Sequence, residues 1–200
     1  MKKTIFLVSM CVFAISAIAQ SNILKNGGFE SGNLIRGTKI PTDGIDWYWQ
    51  INNGKLPEAY IELSNEVKNQ GNKSLKMTLP PSEITARYHM LIAKGLGVVS
   101  KLNYTLTFWA KSNIAVKLNV YYNGFAIKDG VASKSLTIGS QSKINGNNTW
   151  AKYTVRLNGS LYDSNASWDL SQPTELYIGL TNQVISEGLE LYIDDVELLD

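Results

Sequence analysis

Apolar and polar residues alternate with a period of two along most of this chain, and no stretch of ten residues holds the 3.6-residue period of a helix. The clearest run is 104 to 111, where Tyr104, Leu106, Phe108 and Ala110 share one face and Thr105, Thr107, Trp109 and Lys111 the other. The same alternation predicts strands over Asp46 to Ile51, Tyr60 to Leu63, Ser74 to Leu79, Arg87 to Ile92, Val116 to Tyr122, Trp150 to Leu157 and Leu176 to Leu180. Turn signals separate them: Asn52-Asn53-Gly54, Gln70-Gly71-Asn72-Lys73, Pro80-Pro81, and Gly95 with Gly97. Residues 123 to 148, rich in Gly, Ser, Asn and Lys, hold only a weak strand around Leu136 to Ile138, and 158 to 174 read as polar loop. Nine to eleven strands without a helix predict an all-β fold, an antiparallel two-sheet β-sandwich of the jelly-roll kind.

The last strand departs from strict alternation. Leu189, Leu191 and Ile193 alternate with Glu190, Tyr192 and Asp194; then Asp195 intervenes, and Val196 and Leu198 resume the apolar row. A slip of one residue predicts a bulge. Two adjacent carboxylates in an apolar strand are either solvated or bound to a cation, because an unpaired buried carboxylate is costly.

The N-terminus follows another pattern. Lys2 and Lys3 precede an apolar run from Ile5 to Ala19 that ends in Ala17-Ile18-Ala19. This predicts a secretory signal peptide over 1–19, cut after Ala19, a single domain over 20–200, and a periplasmic or extracellular destination. The one cysteine, Cys11, lies in that leader, so the expected mature chain has no disulfide and no thiolate chemistry. Loss of Lys2 and Lys3 takes the formal charge from +2 to zero, which argues against nucleic acid or an anionic membrane as partner. His89 is the only histidine, which excludes a multi-histidine zinc site. Glu62, Glu66, Asp129 and Asp163 are scattered, with no spacing that marks the facing pair a glycosidase needs.

Three stretches in order, Asn22 to Glu30 (Asn-Ile-Leu-Lys-Asn-Gly-Gly-Phe-Glu), Tyr104 to Lys111 and Tyr192 to Leu198 (Tyr-Ile-Asp-Asp-Val-Glu-Leu), resemble carbohydrate-binding modules of families 4, 9 and 22. Gly71-Asn72-Lys73-Ser74-Leu75 and Trp150-Ala151-Lys152-Tyr153 extend the resemblance over nearly the whole expected mature chain. It implies a galactose-binding-like β-sandwich, a polysaccharide or oligosaccharide ligand, and a structural Ca2+. The family positions that hold this ion match Glu30 and Asp195, with Asp194 beside them and Asn72 as a backbone contributor.

A glycan cleft needs aromatic faces flanked by hydrogen-bonding side chains. Trp109 stands opposite the apolar row of its strand, and Tyr121, Arg87 and His89 hold comparable positions on other strands; Trp47 and Trp49 are candidates for one wall. Parity alone leaves open whether such a row faces solvent or packing, since a sandwich has two inner faces. The expectation is therefore a monomeric, non-catalytic, secreted carbohydrate-binding protein. The alternatives are an interaction or adhesion domain that recognises protein, or a polysaccharide lyase or hydrolase using Arg87, His89, Lys117 and Tyr121.

Overall fold

The computed structural model describes residues 22–36, 46–49, 60–84, 88–94, 103–128, 131–158, 167–168, 175–180 and 183–199. They form strands β1 (Leu34–Arg36), β2 (Trp47–Trp49), β3 (Tyr60–Ser64), β4 (Ser74–Leu79), β5 (Ser82–Ile84), β6 (Tyr88–Lys94) and β7 (Asn103–Ser112). They continue as β8 (Val116–Lys128), β9 (Val131–Ile144), β10 (Ala151–Asn158), β11 (Ser167–Trp168), β12 (Glu175–Leu180), β13 (Gln183–Ile185) and β14 (Leu189–Leu199). No helix occurs among the described residues.

Two main sheets carry the fold. One has five strands in the order β10-β7-β14-β4-β3; the other has seven, ordered β1-β2-β6-β12-β8-β11, with β9 also paired to β8. The described ladders are antiparallel except β1 on β2, which is parallel. β5 and β13 form a separate two-stranded pair.

Where burial is described, the apolar rows read from the sequence are buried. On β7, Tyr104, Leu106, Phe108 and Ala110 are buried. On β8 and β12, the cross-strand pairs Leu118–Leu180 and Val120–Ile178 are buried together. These rows meet Leu75, Met77, Leu191, Ile193, Val196 and Leu198 in one core between the sheets. Burial of such apolar faces is the main force holding a sandwich without disulfides.

β8 and β9 pair along their length, so strand covers 123–128 and 131–144, where a loop with one weak strand was expected. The signal is faint because one face of β9 is solvated, with Gly139, Gln141 and Lys143 exposed, and the opposite parity carries the small polar residues Ser140 and Ser142. The strand exists through its ladder to β8, a long-range partner that local pattern does not reveal.

The first and last described segments lie side by side. Asn22 bridges to Leu199, the Ile23 N–H donates to the Leu198 carbonyl at 2.9 Å, and the Val196 N–H donates to the Gly27 carbonyl at 2.9 Å. A side chain at Gly27 would place its Cβ 1.8 Å from the Val196 carbonyl oxygen, so only glycine permits this approach. The predicted bulge is present: β14 shifts register against β7 between Asp194 and Glu197, and Asp195 adopts φ 47°, in the left-handed region.

Candidate functional site

The bulge brings the sequence-predicted carboxylates together with the 69–73 turn. Asp194 Oδ2 accepts the N–H groups of Asn69 at 2.9 Å and Gln70 at 3.2 Å, and its Oδ1 accepts the Asp195 N–H at 2.8 Å. Glu30 Oε1 accepts the N–H groups of Asn72 at 2.6 Å and Lys73 at 2.9 Å, while Oε2 takes the Asn72 side-chain amide at 3.2 Å. Asp195 Oδ2 accepts from the Asn69 side chain at 3.2 Å. One turn, 124 residues or more from the bulge, is thus clasped to the end of the chain.

These carboxylates differ electrostatically. The Lys73 and Asn72 N–H groups hold the Glu30 carboxyl below its ordinary 4.5. Burial pushes the Asp194 carboxyl above its ordinary value and outweighs its three N–H donors. Both oxygens of Asp194 accept N–H donors, which makes it a buried clasp between the bulge and the turn. Asn72 contributes an N–H and a side-chain amide to Glu30. Among the described residues, no three His, Cys, Asp or Glu side chains gather as a metal-binding group. Asp195 and Glu30 do border the same bare glycine: a Cβ on Gly28 would lie 3.5 Å from Asp195 Oδ1 and 3.8 Å from Glu30 Cγ.

The aromatic candidates part company in the fold. Trp47 is 3% exposed; its ring lies 5.2 Å from Phe29, and its Nε1–H donates to the Asn26 carbonyl at 2.7 Å. It is a core residue and cannot wall a cleft: the apolar ring is covered and its one polar atom is satisfied. Trp49 is placed by backbone on β2, its side chain outside the described set, and Arg87 lies outside the described residues.

Trp109 does not share a face with Tyr121. It belongs to the five-stranded sheet, paired with Lys152 on β10 and Asp194 on β14. Tyr121 belongs to the seven-stranded sheet, paired with Tyr177 on β12 and Gly139 on β9. The assumption of one cleft fails because parity describes a side chain's face relative to its own strand and says nothing about which sheet that strand joins.

On the seven-stranded sheet, the face opposite Leu118, Val120, Leu176 and Ile178 carries two adjoining rows. One contains Tyr177, Tyr121 and Gly139; the other contains Gly179, Asn119 and Gln141, with His89 at the register position beyond Gly179. Tyr121 and Tyr177 are half-buried. A Cβ on Gly139 would meet the Tyr121 ring carbons at 2.8 Å, so the ring lies across β9 because that position has no side chain. The Tyr177 hydroxyl donates to Glu175 Oε2. Asn119 is 3% exposed, and its Oδ1 is buried without a hydrogen-bond partner among the described residues. Such an orphaned acceptor costs about 1–3 kcal/mol and calls for an explanation. Tyr177, Asn119 and Gly139 were not singled out from sequence; their parity opposite the core row was legible, but their juxtaposition depends on β12 and β9 both flanking β8.

No family model matches the chain, and no curated protein matches it. Solved structures do, and they define the class: an all-β sandwich of the kind found in carbohydrate-binding modules, which agrees with the resemblance of its motifs to families 4, 9 and 22. A Bacteroides thetaiotaomicron protein assigned as sugar-binding is similar at a TM-score of 0.66 and 18% identity, over 90% of this chain and 100% of that one. The CBM22-1 xylan-binding domain of Paenibacillus barcinonensis Xyn10C is similar at 0.51 and 13% identity, over 90% of this chain and 95% of that one. The enzymatically active domain of tailspike protein 4 from bacteriophage CBA120 is similar at 0.50 and 19% identity, over 88% of this chain but 21% of that one. At these identities the likeness is one of fold, and a sandwich hosts many functions.

Proposed function

We propose that this is an exported, non-catalytic carbohydrate-binding protein, which holds a polysaccharide or oligosaccharide on the outer face of its seven-stranded sheet. The observation that carries the reading is the Tyr121–Tyr177 pair beside Asn119. Two phenol rings offer faces to the C–H side of sugar rings, beside a buried Asn119 Oδ1 that has no donor among the described residues. Gln141, exposed on β9, adds a reader of hydroxyl groups. His89, at the register position beyond Gly179, extends this row toward β6. The sugar-binding assignment of one structural neighbour and the xylan binding of another support the same ligand class.

The experiment is isothermal titration against xylan, β-glucan, mannan and galactan oligosaccharides, with reducing-end and unsaturated-product assays alongside. Saturable binding to at least one glycan, with no product released, is the expected result. Absence of binding to all of them would favour the protein-recognition alternative. Product release would favour a lyase or hydrolase.

We further infer that Ca2+ pins the chain ends beside this fold's bulge. The fit rests on Glu30 and Asp195, whose carboxylates border Gly28; hard oxygen donors of this type, completed by backbone carbonyls, suit calcium. The ion would supply structural cross-linking, with no part in chemistry. A cation that binds only the folded state raises stability by mass action. Chelation with EDTA is therefore expected to lower the melting temperature, and added Ca2+ to restore it. An unchanged melt, with no calcium by elemental analysis, would overturn the inference.

A further inference from the structure

Asparagine followed by glycine is the pairing most open to self-modification, because glycine puts no side chain in the way of attack by its own backbone nitrogen on the asparagine amide. Three such pairs lie wholly within the described residues: Asn26-Gly27, Asn123-Gly124 and Asn145-Gly146. Asn26 is 7% exposed, and its side chain is tied to Ser31 at both ends: Oδ1 accepts the Ser31 N–H at 3.1 Å, and the amide donates to the Ser31 carbonyl. Asn123 and Gly124 stand inside the β8–β9 ladder, opposite Thr137 and Leu136. Asn145-Gly146 is the exception. It opens the turn between β9 and β10, and both residues are exposed. The Asn145 N–H donates to the Tyr153 hydroxyl at 3.0 Å, but its side-chain amide and the Gly146 N–H have no hydrogen-bond partner among the described residues. The glycine is obligatory, since a Cβ there would lie 2.2 Å from the Ala115 nitrogen, so the fold keeps the reactive pair. Nearby charge is positive: Lys143, exposed two residues earlier, stands opposite exposed Lys117 in the ladder. Such charges favour the deprotonated form of a nitrogen beside them.

We propose that Asn145 is a site of spontaneous covalent modification, at which the folded chain converts its own amide to aspartate and isoaspartate. The Gly146 nitrogen gives its proton to hydroxide and bonds to the Asn145 Cγ. The Cγ–Nδ2 bond breaks, and the amide nitrogen takes up a proton and leaves as ammonia. Water then adds to one of the two carbonyls of the succinimide ring. Opening on one side gives aspartate; opening on the other routes the main chain through the former side chain as isoaspartate. Water is the one co-reactant, and nothing is oxidised or reduced. The attack needs nitrogen and carbon to approach within about 3–3.5 Å in line, which an untethered side chain can reach and a ladder or a two-ended tether prevents. Either product sets a carboxylate two residues from Lys143. Isoaspartate also lengthens the backbone of a turn that is fastened where the Asn148 N–H donates to the Ser112 carbonyl at 2.8 Å.

The test is incubation of the folded protein in mildly alkaline buffer, sampled over time by peptide mapping with mass spectrometry, with isoaspartyl methyltransferase labelling to count isoaspartate. The peptide holding Asn145 is expected to deamidate about tenfold or more faster than those holding Asn26 and Asn123. In guanidinium chloride, where the ladder and the tether are gone, the three rates are expected to converge. Asn145→Gln is expected to abolish the isoaspartate signal from its peptide with the circular dichroism spectrum unchanged. A folded-state rate at Asn145 no greater than at Asn26 and Asn123 would overturn the proposal. So would an isoaspartate signal that persists in Asn145→Gln, which would move the chemistry to Asn147 or Asn148. Rates that stay apart in denaturant would trace the difference to local sequence and overturn the role of the fold.

Discussion

Tyr121→Ala is expected to weaken glycan binding about thirty-fold or more while the protein stays folded. A buried aromatic anchor at the centre of a recognition surface is worth about 2 kcal/mol or more when truncated, and each 1.4 kcal/mol is tenfold in Kd. The fold should tolerate the change because the ring sits on the outer face, half-buried, over a glycine and away from the core row of Leu118 and Val120. Gly139→Ala provides an independent check. It leaves the phenol in the chain but drives a methyl into the space of ring carbons that would lie at 2.8 Å, so the platform must lift. A loss of about tenfold is expected from it by titration with the best-bound oligosaccharide. Trp109→Ala, on the other sheet, should leave that oligosaccharide's affinity for the Tyr121 face within about twofold. Wild-type affinity in Tyr121→Ala would refute the placement of the glycan on this sheet.

Asp194→Ala is expected to cost about 3–5 kcal/mol of stability. Three N–H groups, those of Asn69, Gln70 and Asp195, lose their acceptor in a partly buried site, and an unsatisfied buried donor costs about 1–3 kcal/mol. At about 2–4 °C per kcal/mol for a domain of this size, the melting temperature should fall by roughly 6 to 20 °C. Asp194→Asn separates hydrogen bonding from charge. Its single carbonyl oxygen can keep the two bonds to Asn69 and Gln70, and its neutrality removes the desolvation cost that burial imposes on the carboxylate. It should therefore melt well above the alanine variant. A thermal melt of Asp194→Ala within about 2 °C of wild type would show that the 69–73 turn does not depend on this clasp.

The strands themselves were legible because one buried face imposes a period of two. Leu75, Met77 and Leu79 and the core parity of β7 are buried as the alternation predicts, and the slip at Asp194-Asp195 announced the bulge. Where both faces carry polar or small residues, as on β9, the period vanishes and the strand hid among Gly, Ser and Lys. Trp47 shows another limit. Its alternation with Tyr48 was correctly read, yet only the packing of Phe29 and the Asn26 carbonyl against its ring assigns it to the interior.

The candidate sites divide along the same line. The adjacent carboxylates announced the bulge, while the meeting of Glu30, Asp194, Asp195 and the 69–73 turn was implied only by the resemblance to carbohydrate-binding modules. Which of them cap N–H groups depended on the tight approach of the turn to the bulge. The amino-acid order by itself determined the fold class and the rows that form the core, since both follow from periodicity and turn chemistry along neighbouring residues. Only the tertiary structure decided that Trp109 and Tyr121 look outward from different sheets. Strand order is set by long-range pairing, and alternation along one strand carries no record of the strand that lies beside it.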